Sequence, residues 1–211
     1  MNELRGLLVS EVKAMNLEAY VNNEKISKLL GLVDLLMKWN RVYNLTSIKK
    51  GPDIILKHIV DSISVAPFIT GQNYADAGSG PGFPGIPLAI LFPEKNFYLL
   101  ESLGKKINFQ REVKRQLQLE NIFPEQTRCE LYTPQVSIEG VISRAFASLP
   151  DMLELCKNIP AENGEFLALK GEVPDNELKE LSKEFEVLDI IRIQVNKTLG
   201  QRHLIRLIKR K

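Results

Sequence analysis

The order of short apolar runs and amphipathic stretches between Asn73 and Gly171 constrains this chain most. NYADA (73–77), NFYLLE (96–101), IFPEQTRCE (122–130), GVISRA (140–145) and EFLALKG (165–171) read as strands. Helical stretches separate them: GIPLAILF from Gly85, GKKINFQREVKRQLQL (104–119) and a segment around 148–157. Strands that alternate with helices predict a parallel sheet with right-handed crossovers. The ending departs from this. FEVLDIIRIQV (185–195) and RHLIRLIK (202–209) are separated only by NKTLGQ, too short for a crossover, so an antiparallel hairpin is expected there.

Residues 1–70 read as helix, and the chain divides into a helical extension (1–70) and an α/β domain (71–211). In KISKLLGLVDLLMKWN, Ile26, Leu29, Leu30, Val33, Leu36 and Met37 recur every three or four residues, with Asn23 and Glu24 at the start. A second helix is expected after Pro52, with a loop from Trp39 to Lys50 between the two. At 44% hydrophobic and 26% charged residues the chain can bury a core, and a net charge of +2 does not by itself announce a nucleic-acid partner. The charge is uneven, however: Ile190 to Lys211 holds seven Lys or Arg and no acid, ending Lys209-Arg210-Lys211. Two widely spaced cysteines, Cys129 and Cys156, lack metal-ligand or CxxC spacing and point to a reduced compartment. No stretch has the form of a secretion signal or the roughly 18 apolar residues of a membrane span. A cytoplasmic monomer without membrane contact is expected.

The most informative string is Asp76-Ala77-Gly78-Ser79-Gly80-Pro81-Gly82-Phe83, directly after the first strand. In open parallel sheets, ligands bind beyond the carboxyl ends of the strands, and glycines there let a ligand approach the main chain. A nucleoside triphosphate is excluded, because Ile86-Pro87 stands where the Walker Lys-Ser/Thr would be. A dinucleotide is disfavoured: Phe83 replaces the third glycine, and Pro81, Pro84 and Pro87 remove amides that a pyrophosphate would use. S-adenosylmethionine needs no phosphate site. It needs close backbone approach at Gly78 and Gly80 and an acid for the ribose, which Glu101 supplies about 20 residues on. Asp76 adds negative charge for a cationic cofactor. The alternative is a structural turn with a solvent-facing Glu101.

DAGSGPGFPGIPLAI (76–90), LLESLGKKINF (99–109), ISRAFASL (142–149) and LALKG (167–171) resemble the ribosomal RNA small-subunit methyltransferase G family, also called glucose-inhibited division protein B. WNRVYNLTS, HIVDSISVAPF and RHLIRL extend the resemblance over nearly the whole chain. It implies a Rossmann-like class I methyltransferase fold, with a mostly parallel α/β sheet and S-adenosylmethionine as cofactor without metal. It also implies transfer of a methyl group to N7 of one guanine in 16S ribosomal RNA, with the small ribosomal subunit as partner. Gly78 and Phe83 would line the cofactor site, Cys129 and Glu130 at the end of the third strand would flank the adenine, and Arg144 would face the site. Glu101 stands where many relatives have Asp, and Cys129 where small residues are common.

The chemistry of the residues agrees. Attack on a pyrimidine C5 needs an activated cysteine, and neither cysteine has such a setting. Exocyclic amines commonly need an Asn/Asp-Pro-Pro-aromatic clamp, and the chain has no Pro-Pro. Guanine N7 has a free lone pair and no proton to lose, so positioning can suffice. Arg144 can pair with the cofactor carboxylate, hold guanine O6 or clamp a phosphate, with the cofactor favoured; a surface salt bridge is the plain alternative. His58 reads equally as a satisfied histidine or an RNA contact, and Asn44 equally as a cap or an RNA contact. His203 is too far from His58 in sequence for a metal site. Lys105, Lys106, Arg111, Lys114 and Arg115, with the basic tail, are expected to form a phosphate-binding surface. A methyltransferase for another nucleic acid or a small molecule, and a non-catalytic cofactor- or RNA-binding module, remain as alternative readings.

Overall fold

The computed structural model describes residues 2–146, 148–196 and 199–210. The chain begins with helix α1 (Asn2–Ala14) and helix α2 (Asn23–Tyr43). Asn22 caps α2, its side chain accepting a hydrogen bond from the Lys25 amide at 2.9 Å. The apolar stripe from Ile26 to Leu36 is buried as its spacing requires. α2 runs four residues past Trp39, so the expected loop from Trp39 is corrected to one that starts at Asn44. The extension has a packing cause. Trp39 and Tyr43, one turn apart, contact each other with ring centroids 5.1 Å apart, and Trp39 meets Phe109 edge-on at 5.7 Å. Asn44 then ends the helix in the left-handed conformation (φ 47°), its amide bonded to Asn40 O. Of its two readings, Asn44 is the cap.

The next helical segment is composite: α3 (Gly51–Ile54), a π-helical turn (Ile55–Val60) and α4 (Asp61–Ile63) run without a break. The π turn had no counterpart in the sequence pattern. It diverts the Asp61 amide to His58 O and Leu56 O, leaving the Lys57 carbonyl outside the ladder.

The seven-stranded sheet has the order β3-β2-β1-β4-β5-β7-β6. β1 (Asn73–Ala77), β2 (Asn96–Glu101), β3 (Ile122–Gln126), β4 (Gly140–Arg144) and β5 (Glu165–Lys170) are parallel. β7 (His203–Lys209) runs antiparallel between β5 and β6 (Phe185–Arg192). The strand order reverses between β1 and β4, which makes their carboxyl ends the switch point where such sheets bind ligands. Helices α5 (Gly85–Leu91), α6 (Gly104–Leu117) and α7 (Leu149–Cys156) are the crossovers, and a short α8 (Asp175–Lys179) lies between β5 and β6.

Two apolar clusters cover the two faces of the sheet. Leu8, Leu29, Leu36, Ile59, Phe97, Phe109 and Leu204 share one of them, so the helical preface and the sheet bury a common core. Ala75, Leu100, Val141, Met152, Phe166 and Leu207 belong to the other. Each fully buried leucine here contributes roughly 1.5–3 kcal/mol relative to exposure. Pro87 costs α5 no hydrogen bond, because the first amides of a helix have no intrahelical partner.

Candidate functional site

At the carboxyl end of β1 the chain turns through Gly78, Gly80 and Gly82, all with positive φ (66°, 58° and 97°). The space around each glycine tells them apart. A Cβ on Gly82 would lie 2.2 Å from Ile86 Cδ1, and one on Gly85 would lie 2.3 Å from Leu99 and 2.8 Å from Asp76 Oδ2. At those two positions the protein's own side chains fill the space. Among the described residues Gly80 has nothing within 4 Å, and Gly78 has only the Phe146 ring, at 3.5 Å. Gln110 fixes the loop by donating to Ser79 Oγ (2.8 Å) and Gly80 O (2.7 Å), while the Ser79 amide donates to Leu100 O (2.9 Å).

A cleft of about 300 Å³ opens beside Gly78, with Leu100, Glu101, Ser102, Cys129, Glu130 and Phe146 among the residues on its wall. Four of the expected cofactor residues thus meet: Gly78, Glu101, Cys129 and Glu130. Cys129 and Glu130 lie past the third strand, in the 3-10 turn Cys129–Leu131, because β3 ends at Gln126. Glu101, the last residue of β2, is held by the start of α6: Oε1 accepts from the Leu103 amide (2.9 Å) and Oε2 faces Lys106 Nζ (3.2 Å). A carboxylate has about four acceptor positions, so these two bonds leave capacity for hydroxyl donors in the cleft.

Asp76 does not line this cleft. It is fully buried beneath the loop, with Oδ2 accepting from the Gly85 amide at 2.7 Å and Oδ1 without a partner among the described residues. Burial pushes its pKa up to about 7, against the pull of the Gly85 bond. Its evident work is to anchor the start of α5. Gly80 shapes the loop and is likewise absent from the cleft wall. Phe83 is buried too. Its ring stacks on His58 (centroids 4.6 Å apart, 12° between planes), and the Arg144 guanidinium lies 5.6 Å from its centroid.

Arg144 ends β4 and turns toward the helical preface. Its guanidinium donates to Asp61 Oδ2 (3.0 Å), Lys57 O (2.7 Å) and His58 Nδ1 (2.9 Å). The Lys57 carbonyl is the one that the π turn releases. Asp61 Oδ1 accepts from Arg202 at 2.6 Å, so one carboxylate links β4, the preface and the start of β7. The favoured cofactor-side role of Arg144 has no support in these contacts; the ion pair does exist, with the side chain 15% exposed. His58 is the satisfied histidine of its two readings. It accepts at Nδ1 from Arg144, so the hydrogen is on Nε2, which donates to Thr46 Oγ1 at 3.0 Å. Burial, with Arg144 adding to it, lowers its pKa to about 3 and keeps it neutral. Thr46 is itself placed by Asn40, whose Oδ1 accepts from its amide at 2.9 Å. Asn40 and Thr46 of the WNRVYNLTS string therefore serve to orient His58.

A second cleft, of about 450 Å³, lies over this network, lined by Ile48, Lys57, His58, Arg144, Leu169, Lys170 and Arg202 among others. Ala145 (φ 57°) borders it, and the next residue, Phe146, borders the first cleft. The end of β4 is the partition between the two.

The contacts and the strand direction locate the two parts of the expected basic surface. On α6, Lys105 donates to Tyr43 O (2.9 Å), Lys106 faces Glu101, Lys114 donates to Ile122 O (2.8 Å), and Arg115 pairs with Glu112 (2.8 Å). Lys106 and Lys114 are thereby tied to the protein and half-buried, whereas Lys105, Arg111 and Arg115 remain exposed. β7 pairs His203 with Lys170 at the carboxyl end of β5 and Ile208 with Glu165 at its start. Lys209 and Arg210 therefore sit at the end of the sheet opposite both clefts. Lys211 lies outside the described residues.

Residues 25–205 match the family described as rRNA small subunit methyltransferase G. The chain is 47% identical over 196 residues to the "Ribosomal RNA small subunit methyltransferase G" of Shewanella woodyi, covering 93% of this chain and 94% of that one. It is 45% identical over 202 residues to the protein of that name from Haemophilus influenzae, covering 96% and 98%. The chain belongs to this family.

The solved structures bear on the fold of this family member alone, because they are distant in sequence. A SAM dependent methyltransferase from Aquifex aeolicus superposes with TM-score 0.55 at 14% identity, over 74% of this chain and 92% of that one. P. horikoshii TYW2 in complex with MeSAdo gives 0.55 at 12%, over 71% and 61%. The parallel sheet and closing hairpin expected from the strand order, and the Rossmann-like methyltransferase fold that the resemblance implies, are the fold observed. Among the described residues no helix is long and apolar enough to cross a membrane.

Proposed function

We propose that this chain transfers the methyl group of S-adenosylmethionine to N7 of a guanine in 16S ribosomal RNA, acting in the bacterial cytoplasm on the small subunit or its RNA. The observation that carries the reading is the pair of clefts meeting across Ala145 and Phe146 at the end of β4. The first suits the cofactor. It offers a side-chain-free backbone at Gly78, the apolar Leu100 and Phe146, and two carboxylates, Glu101 and Glu130, facing a ligand that carries positive charge at sulfur and at its amine. The second suits the acceptor, with apolar surface at Ile48 and Leu169 and the half-exposed Lys57 for a phosphate, while Lys170 and Arg202 on the same wall are paired with Glu177 and Asp61. On this reading residues 1–70 are an extension of the catalytic domain 71–211 that supplies one wall of the acceptor cleft.

When bound, S-adenosylmethionine supplies an electrophilic methyl group. The protein's part is to bind, orient and exclude water. Gly78 admits close approach, Glu101 accepts from hydroxyl donors, and the Asp61–Arg144–His58 network fixes the end of β4 between donor and acceptor. Guanine N7 needs no base, and the nearest imidazole agrees: His58 is neutral with both ring nitrogens engaged. Positioning alone can supply effective molarities of roughly 10⁵ M or more. The chain's two cysteines have no part in such a transfer.

The test is to incubate the enzyme and cofactor with small-subunit particles from cells that lack this activity, then map methylation by borohydride-dependent strand scission. One scission at one guanine is expected. A methyl group at a pyrimidine C5 or an exocyclic amine, or none at all with cofactor bound, overturns the reading.

A further inference from the structure

Two nucleophilic side chains remain unused. Cys129 lies on the wall of the first cleft beside Gly78, Glu101 and Glu130. Cys156, at the end of α7, is fully buried and belongs to the same apolar cluster. Both are free thiols, within hydrogen-bonding reach of each other. Their environments separate them. The hydrogen bond from Cys156 and one from the Gly78 amide favour a thiolate at Cys129, against burial and the charges of Glu130 and Asp76. The bond to Cys129, burial and the charge of Glu130 all hold the proton on Cys156. Cys129 is itself largely buried, at 7% exposed, but of the two thiol residues it is the one on the cleft wall, while Cys156 lies wholly behind it, and the thiolate is the reactive species.

We propose that Cys129 is a covalent modification site for peroxides and small soft electrophiles entering through the cofactor cleft, and that Cys156 is its resolving thiol. The inference rests on the reading of that cleft as the cofactor site only for its consequence, the competition with cofactor.

With a peroxide, the Cys129 sulfur attacks one oxygen, the O–O bond breaks, and the departing hydroxide takes up a proton as water. Cys129 is left as a sulfenic acid. The Cys156 sulfur then attacks the Cys129 sulfur, the S–O bond breaks, and the hydroxide leaves with the Cys156 proton as water. Two thiols are oxidised to one disulfide and the peroxide is reduced by two electrons. A disulfide holds its sulfurs about 2.05 Å apart, closer than any hydrogen-bonded thiols, so the Cys129–Leu131 turn and the end of α7 have to draw together. The cofactor wall is altered, and cofactor affinity falls.

The experiment uses the full chain. Iodoacetamide without denaturant, followed by peptide mapping, should place one label on Cys129 and none on Cys156. S-adenosylhomocysteine at about ten times its Kd should slow that labelling about tenfold by mass action. Dilute hydrogen peroxide should give an internal Cys129–Cys156 disulfide, reversible by dithiothreitol, with weakened S-adenosylhomocysteine binding. In Cys156→Ser the sulfenic acid should persist and be trapped by dimedone. Label appearing first on Cys156, or wild type yielding no internal disulfide, overturns the proposal. So does failure of calorimetrically bound S-adenosylhomocysteine to protect Cys129. If S-adenosylhomocysteine does not bind the untreated chain while Cys129 is still labelled and paired, the modification site stands and the cofactor reading alone is lost.

Discussion

Replacing Gly78 and Gly85 separately by alanine distinguishes a glycine that faces a ligand from one that faces the protein. Gly78 has φ 66°, where an L-residue is penalised by roughly 1–2 kcal/mol. Among the described residues its new methyl would meet only Phe146 at 3.5 Å, an ordinary contact that adds no clash to that penalty. For a chain of this size each kcal/mol moves Tm by about 2–4 °C, which gives a loss of about 2–8 °C and a retained fold. The same methyl stands on the cleft wall, and an overpacked contact costs typically about 1–3 kcal/mol, a fall of about 5- to 150-fold in cofactor affinity. Gly85→Ala reverses the pattern. Its Cβ would overlap Leu99 at 2.3 Å and Asp76 at 2.8 Å, straining the core and the Gly85–Asp76 bond by about 1–3 kcal/mol or more without entering the cleft. Thermal melting together with calorimetry of S-adenosylhomocysteine reads both quantities. Gly78→Ala should lose affinity beyond its stability loss, and Gly85→Ala should lose stability with affinity near that of wild type. The reasoning is refuted if Gly78→Ala binds within twofold of wild type, or if both variants lose affinity in proportion to their Tm.

Asp61→Asn strands two guanidiniums, Arg144 and Arg202, whose side chains are 15% and 25% exposed, and removing one partner of such a pair costs about 3–5 kcal/mol. Urea unfolding should show that loss, and a change below about 1 kcal/mol would remove Asp61 as the link between preface and sheet. Asp76, raised to about 7 by burial, favours the folded state below pH 4, and that contribution is lost as pH rises toward 7. Urea midpoints of wild type and Asp76→Asn should therefore diverge in favour of the variant between pH 4 and 7; a constant difference contradicts the assignment. His58, lowered to about 3, acts in the opposite sense: protonation penalises the fold progressively as pH falls from 6.5, so His58→Gln should flatten the acid limb of the stability curve. For RNA binding, Lys57→Ala should make the salt slope shallower by about 0.7–0.9, while Lys209→Ala with Arg210→Ala leaves it unchanged. The reverse result would return RNA to the far end of the sheet.

The parts of this molecule legible in its sequence are those set by local periodicity and by turn chemistry. NYADA and NFYLLE are strands to the residue, because a buried parallel strand is a short apolar run with sharp ends. The hairpin was legible because NKTLGQ cannot hold a crossover. What escaped is what depends on meetings between distant residues. Nothing in GSGPGFPG says that Gly82 and Gly85 accommodate Ile86, Leu99 and Asp76 while Gly78 faces a cleft; the motif is one string, but its glycines answer to different neighbours. Arg144 stands in the sequence beside its own strand, yet its partners lie more than 80 residues earlier in the chain, at Lys57, His58 and Asp61. That meeting depends on the π turn, which frees the Lys57 carbonyl in a segment whose apolar spacing looks like ordinary α-helix. The HIVD string therefore carries two kinds of information. Ile59 and Val60 fill the core, while His58 and Asp61 hold the arginine at the partition between the clefts. A charge so placed need not touch cofactor or base to govern the transfer. It fixes the end of β4, from which Ala145 faces one cleft and Phe146 the other, and so sets the distance across which a methyl group would have to pass.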